Sequence, residues 1–167
     1  LVAIAQEAGL NCSVNHIIDE PIAAGVSWIW NEFIQTGVYP GGKTIVFDCG
    51  GGTLDIAILE VDNKKAKEPI ISVLSSNGSY GNAGDNYDEA IFKRLEEQYP
   101  NLTTQEEKIL LKQCAKRLKE SLSYTDEATD FLGQEYNDPI TLTREELKEC
   151  SLQLFEKSKN VILGAMR

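Results

Sequence analysis

The sequence predicts an α/β fold, part of a layered sheet followed by a smaller helical α+β subdomain, and three observations predict it. The run Leu54 to Val61 is apolar on both alternating faces, with Leu54, Ile56 and Ile58 on one side and Ala57, Leu59 and Val61 on the other. A strand of that kind is covered on both sides. Two neighbouring runs, Thr44 to Asp48 and Ile70 to Leu74, have strand character and short connections, which predicts an antiparallel meander. From about residue 83 the texture changes to charged segments with helical spacing.

The elements follow in order. Leu1 to Ala8 has the pattern of a helix end closed by Gly9, and Val14 to Ile18 that of a short strand. Asp19 caps a helix that carries Pro21 in its first turn, where a missing N–H is harmless. Ile22, Val26, Ile29, Trp30 and Phe33 place its buried face, and the helix should fray near Thr36-Gly37 before the turn Pro40-Gly41-Gly42. Trp28 and Trp30 stand about 200° apart on it, so one is expected inside and the other at an interface. Asn63-Lys64-Lys65, with Lys67, is a solvated turn. The second half holds three helices. The first runs from Gly84 to Tyr99 and buries Tyr87, Ala90, Ile91 and Leu95. The second is opened by Thr103 or Thr104 with Glu106 or Glu107, and buries Leu111, Cys114, Ala115, Leu118 and Leu122. The last is opened by Thr143 with Glu146 and runs through Ile162. Ala128 to Leu132 and Pro139 to Leu142 are candidate strands of a small sheet.

Composition narrows the function. The 167 residues carry 26 acidic against 16 basic side chains, a formal charge of −10 that disfavours nucleic acid as a partner. No stretch approaches the roughly 20 apolar residues of a membrane span, and no secretory leader is recognisable. Cys12, Cys49, Cys114 and Cys150 are widely spaced and, with the single His16, form no zinc set; buried free thiols in a reducing cytoplasm are expected. His16 is expected in the core or bonded to a partner. The chain opens on Leu1 within a helical pattern, so we expect an internal piece of a longer protein.

Chemistry points to Asp48-Cys49-Gly50-Gly51-Gly52-Thr53-Leu54-Asp55. Three glycines permit positive φ and let backbone N–H groups approach a phosphate, and Thr53 adds a hydroxyl. Asp48 and Asp55, at the inner ends of paired strands, face one another across the turn. Carboxylates alone would repel a triphosphate; a hydrated Mg²⁺ between them and the phosphates resolves the conflict. The glycines alone fit an ordinary ligand-free hairpin better than a phosphate site, and no Walker-type lysine follows them.

The neighbours of this loop decide between the two. Ala8-Gly9-Leu10, Asp19-Glu20-Pro21 with Ala23-Ala24, Phe47 to Asp55, Gly84-Asp85-Asn86-Tyr87-Asp88 and Lys119-Glu120-Ser121-Leu122-Ser123 occur in order through residues 6–123. Together they resemble the seventy-kilodalton heat-shock chaperones (DnaK type) of the actin-like ATPase superfamily. The resemblance implies part of an actin-like, ribonuclease-H-like lobe-II sheet and a parent that hydrolyses Mg-ATP to drive a conformational change. It implies that Gly50, Gly51, Gly52 and Thr53 hold the β- and γ-phosphates. Asp48 and Asp55 would act through water on the metal and the attacking water, and Glu20 would orient metal-bound water. Gly84 would contact phosphate, and Lys119 and Ser123 adenosine, of ATP or ADP. Nucleotide-exchange factors and co-chaperones are the implied protein partners, and the cytoplasm the implied compartment.

Departures from the family pattern are Asp19 for its Asn, Ile22 for its Thr, the segment Trp28-Ile29-Trp30, Lys116 for an acidic residue, and Glu120 for the arginine that stacks on adenine. The expected organisation is residues 1–37 as the end of lobe I with a crossing helix, 38–82 as the lobe-II base, 83–152 as the upper helical subdomain, and 153–167 as a returning helix. The family's first phosphate loop would precede Leu1, and its later adenosine motif would follow Arg167. Two alternatives stand beside the ATPase: an actin-like nucleotide sensor that does not hydrolyse, and a protein-docking module for exchange factors.

Overall fold

The computed structural model describes residues 1–63, 69–133 and 138–167. It is a mixed α/β chain with antiparallel sheets, as the alternation of textures requires. The lysine turn at 64, 65 and 67 lies outside the described residues. By internal contacts the chain forms two compact units. One comprises Leu1–Asp48, Asp55–Asn77 and Gly164–Arg167; the other comprises Cys49–Leu54 and Gly78–Leu163.

In the first unit, α1 (Val2–Glu7) is followed by a single 3-10 turn over Val14–His16, where the sequence suggested a strand. The reason is local. The backbone N–H of Ser13 donates to His16 Nδ1 at 3.1 Å, and the N–H groups of His16 and Ile17 donate to the carbonyls of Ser13 and Val14. β-branched residues favour a strand only where a neighbour completes the ladder. His16 is thus exposed and bonded within its own turn rather than placed in a core.

Helix α2 (Glu20–Thr36) closes as expected on Gly37, whose φ of 72° suits glycine and whose N–H donates to the Phe33 carbonyl at 2.8 Å. Its buried stripe is Pro21, Gly25 and Ile29. Spacing of four residues keeps these on one face, and residues one step either side of Ile29 sit about 100° away. Trp28 and Trp30 therefore both flank the stripe and are 44% and 52% exposed; neither is buried. Trp30 instead joins an aromatic group with Phe33 and Tyr39, the last two stacked with centroids 4.1 Å apart.

The sheet has the order β1 (Gly42–Cys49), β2 (Thr53–Asp62), β3 (Ile70–Tyr80). β2 is buried on both faces over Leu54 and Ile56 to Leu59, as its two-sided apolar pattern requires. β3 is longer than its apolar start suggested: Ser75 to Tyr80 is polar, yet keeps the alternation of half-buried and exposed residues. Gly25 brings α2 close to the sheet, since a Cβ there would collide with Leu59 Cδ1 and lie 2.8 Å from Val46 Cγ2. Ile29, Leu59 and Val61 form the core of this face, joined by Ile22, Tyr39, Val46 and Ile71.

The second unit is built on α3 (Gly84–Gln98) packed against α4 (Gln105–Ser121), with a two-stranded sheet of β4 (Glu127–Phe131) and β5 (Pro139–Thr143), followed by α5 (Arg144–Ala165). β4 and β5 are antiparallel, with Ala128 opposite Leu142. Leu111, Cys114, Ala115, Leu118 and Leu122 all lie in the core, the face the heptad-like spacing of α4 selects. Thr104 and Glu107 make the capping box of α4: Glu107 N–H donates to the Thr104 hydroxyl at 3.2 Å, and Thr104 N–H to Glu107 Oε2 at 2.8 Å. On α3, Ile91 and Leu95 are fully buried, whereas Tyr87 and Ala90 are only partly covered. The thiols divide by setting: Cys114 is buried and pushed up to about 12 by desolvation, Cys49 is exposed, and Cys12 and Cys150 are intermediate.

Glu146 of this unit is a firmly held carboxylate. Arg94 Nη2 lies 2.9 Å from its Oε1, and the Thr143 backbone N–H and hydroxyl donate to Oε2 at 2.9 and 3.0 Å. These partners, Arg94 first, lower its acid to about 2 from an ordinary 4.5. A depressed folded-state value contributes stability above pH 4.5 that is lost as the pH falls toward 2. Glu146→Gln is expected to destabilise the protein by about 1–3 kcal/mol at pH 7. Urea unfolding from pH 7 to 2.5 should show the variant and wild type converging below pH 4.5; a constant gap would refute this account.

Candidate functional site

The hairpin between β1 and β2 is closed by Gly50 N–H donating to the Thr53 carbonyl at 3.0 Å. Continuing that register two residues along each strand sets Asp48 directly opposite Asp55. Opposed residues share a face, and here it is the face of Val46 and Leu59, on which α2 packs. Both carboxylates are half-buried. α2 contacts Val46 and Leu59 at Gly25, and Leu59 and Val61 further along at Ile29. Its N-terminus therefore points toward the Asp48–Asp55 end, and Glu20, its first residue, is exposed there. In the first unit the fold thus gathers Glu20, Asp48 and Asp55 at one end.

The glycine loop itself belongs to the second unit. The sequence allowed its glycines a positive φ, and the structure does not use it. None of Gly50, Gly51 or Gly52 has a positive φ; that conformation occurs at Gly9, Gly37, Gly42 and Gly81. Packing does not demand them either. A Cβ on Gly52 would meet nothing within 4 Å, and one on Gly50 only the Thr53 carbonyl at 3.7 Å. On Gly51 it would meet the Asp85 carboxylate at 3.3 Å, the movable end of a side chain. All three are exposed, and what their bare backbone provides is access from outside.

In the same unit, Gly84 N–H donates to the Gly50 carbonyl at 2.9 Å, and Asp85 N–H to that of Gly51 at 2.8 Å. Lys119 Nζ reaches the Gly84 carbonyl at 3.0 Å and Asp88 Oδ1 at 2.6 Å. The latter contact is one of charge rather than of aligned hydrogen bonding. Gly50, Gly51, Gly84 and Lys119 are therefore brought together. Ser123 lies exposed just beyond α4, its N–H on the Glu120 carbonyl, and is not drawn into that group by any hydrogen bond. Sequence reasoning assigned no role to Asp85 or Asp88. The signal for Asp88 was present: it lies four residues after Gly84 on α3, hence above it on one helix face.

Among the described residues no three Asp, Glu, His or Cys side chains gather closely enough to hold a metal ion. A metal here would take at most two carboxylates and fill its shell with water and phosphate oxygens. That donor set fits Mg²⁺, which sheds its water reluctantly.

A family model described as Hsp70 protein matches residues 2–167. The chain belongs to the Hsp70 family. The family is one of nucleotide-binding heat-shock chaperones, which generally bind ATP or ADP with Mg²⁺. The match reaches well past the landmarks that ended at residue 123 and takes in β4, β5 and α5 of this Hsp70 chain. No helix among its described residues is long and apolar enough to cross a membrane.

Proposed function

We propose that this Hsp70 chain supplies one wall of a Mg-ATP hydrolysing site, with Gly50, Gly51, Gly52 and Thr53 on the β- and γ-phosphates. The observation that carries this reading is the three-glycine loop itself. Neither backbone conformation nor packing requires its glycines, yet it is flanked by two opposed carboxylates. A ligand accounts for both. Bare backbone admits a phosphate to hydrogen-bonding distance of the N–H groups. Asp48 and Asp55 would hold Mg²⁺ through water, and the ion would supply the positive charge that lets phosphates lie beside two carboxylates.

Phosphoryl transfer asks the protein mainly to position groups and stabilise charge. In this reading Asp48 and Asp55 orient and deprotonate the attacking water, and Glu20 fixes a second water at the positive end of α2. Gly84 lies by the phosphates, and Lys119 and Ser123 border the adenosine. Turnover drives the conformational cycle of a cytoplasmic chaperone that meets exchange factors and co-chaperones.

Calorimetry on the full-length protein tests the reading. Mg-ATP and Mg-ADP are expected to bind at micromolar or lower concentration, and chelating Mg²⁺ should weaken ADP binding at least about tenfold. No heat of binding from folded protein would overturn the proposal. Binding without turnover would leave a nucleotide sensor.

A further inference from the structure

We infer that Lys119 and Asp88 form a latch that sets the orientation of the glycine loop through the first turn of α3. The first N–H groups of a helix lack partners within it and can hold something else. In α3 the first two hold the carbonyls of Gly50 and Gly51, at 2.9 and 2.8 Å. A trans peptide points its C=O and N–H in opposite directions. With the Gly50 carbonyl turned to α3, the Gly51 N–H turns away from it. With the Gly51 carbonyl turned to α3, so does the Gly52 N–H. The helix therefore turns two loop donors away from itself, and a Cβ on Gly52 would meet no neighbour within 4 Å.

What fixes the first turn of α3 is Lys119. Its ammonium binds the Gly84 carbonyl and Asp88, one at each end of that turn. Asp88 is 6% exposed, so its charge is paired largely out of water, where a lost partner is felt most. Lys119 is itself anchored, because its neighbours Ala115, Leu118 and Leu122 sit in the core. Order thus passes from the α4 core to Lys119, to Gly84 and Asp88, and to the loop. Lys119 and Asp88 are positioning residues for the loop, in addition to any contact Lys119 makes with a nucleoside.

The test uses the full-length protein and its Lys119→Met, Lys119→Arg and Asp88→Asn variants, and its first arm needs no nucleotide. Amide hydrogen exchange is followed over residues 49–54 and 82–88, with 109–118 as the core reference. Lys119→Met and Asp88→Asn are each expected to speed exchange of the Gly84 and Asp85 amides about tenfold or more. The reference should not change, and Lys119→Arg should recover part of the protection. Unchanged exchange at those amides, or an equal rise in the core, would overturn the latch. Should Lys119→Met fail to fold, Asp88→Asn decides alone.

The second arm rests on the phosphate reading of the loop. Asp88→Asn should weaken Mg-ADP about tenfold and leave adenosine unchanged, because only phosphates meet the loop, and Lys119→Met should weaken Mg-ADP by at least as much. Equal losses for both ligands in Lys119→Met, with no loss in Asp88→Asn, would mean a direct nucleoside contact and no latch. If wild-type protein binds no nucleotide, the functional proposal fails while the exchange arm still decides the latch.

Discussion

Gly52→Val is expected to weaken Mg-ATP binding at least about a hundredfold while leaving the protein no less stable. The two halves of that result have separate causes. A side chain at position 52 would stand over the donors proposed to hold a phosphate. Losing two hydrogen bonds to a charged ligand forfeits about 3–6 kcal/mol, more than two decades of affinity. The fold, by contrast, has nothing to lose. No atom lies within 4 Å of a Cβ built there, and the residue is not in the left-handed region. Gly52→Ala should even gain about 0.4–1 kcal/mol, because alanine restricts the unfolded chain. Calorimetry for binding and urea unfolding for stability read the two halves on one sample. A variant that binds Mg-ATP as wild type does would remove the phosphate role of the loop. One that unfolds readily would show that the glycine serves the fold.

The same separation of fold from ligand explains what the sequence made legible. Residues whose duty is met inside their own element were plain. The α4 face from Leu111 to Leu122 needs only helical spacing, and the Thr104–Glu107 and Thr143–Glu146 boxes join residues three positions apart. β2 announced its two covered faces because every one of its core positions is apolar. Val14 to Ile18 was misleading for the opposite reason. Its strand-like residues have no partner strand among the described residues, and the Ser13–His16 bond captures them first. Trp28 and Trp30 depended on where the stripe of α2 falls, and the small residue Gly25, not a large one, sets it. The candidate site was legible in the loop and its two aspartates. The latch of Lys119 on Asp88 and Gly84 was not, since it joins residues 31 and 35 positions apart.

Asp48→Asn and Asp55→Asn, each made in the full-length protein, are expected to cut ATP turnover about a hundredfold or more, with KM changed little. Asparagine keeps the shape and removes the charge, so the loss would report the metal-held and proton-accepting duties proposed for the carboxylates. If the pair acts as a unit, the double variant should be hardly slower than the worse single one. Stability should move the other way. The hairpin register sets the two carboxylates opposite each other, and like charges so placed weaken a sheet by about 0.2–1 kcal/mol. Each single substitution should therefore raise the unfolding free energy slightly when Mg²⁺ and nucleotide are absent. A catalytic pair predicts that trade, because an arrangement unfavourable to the folded chain is kept where a ligand compensates it. Full turnover in either variant would leave Asp48 and Asp55 as hairpin residues without chemistry. Lost turnover together with lost stability would show that the pair holds the hairpin, and that its effect on ATP is indirect.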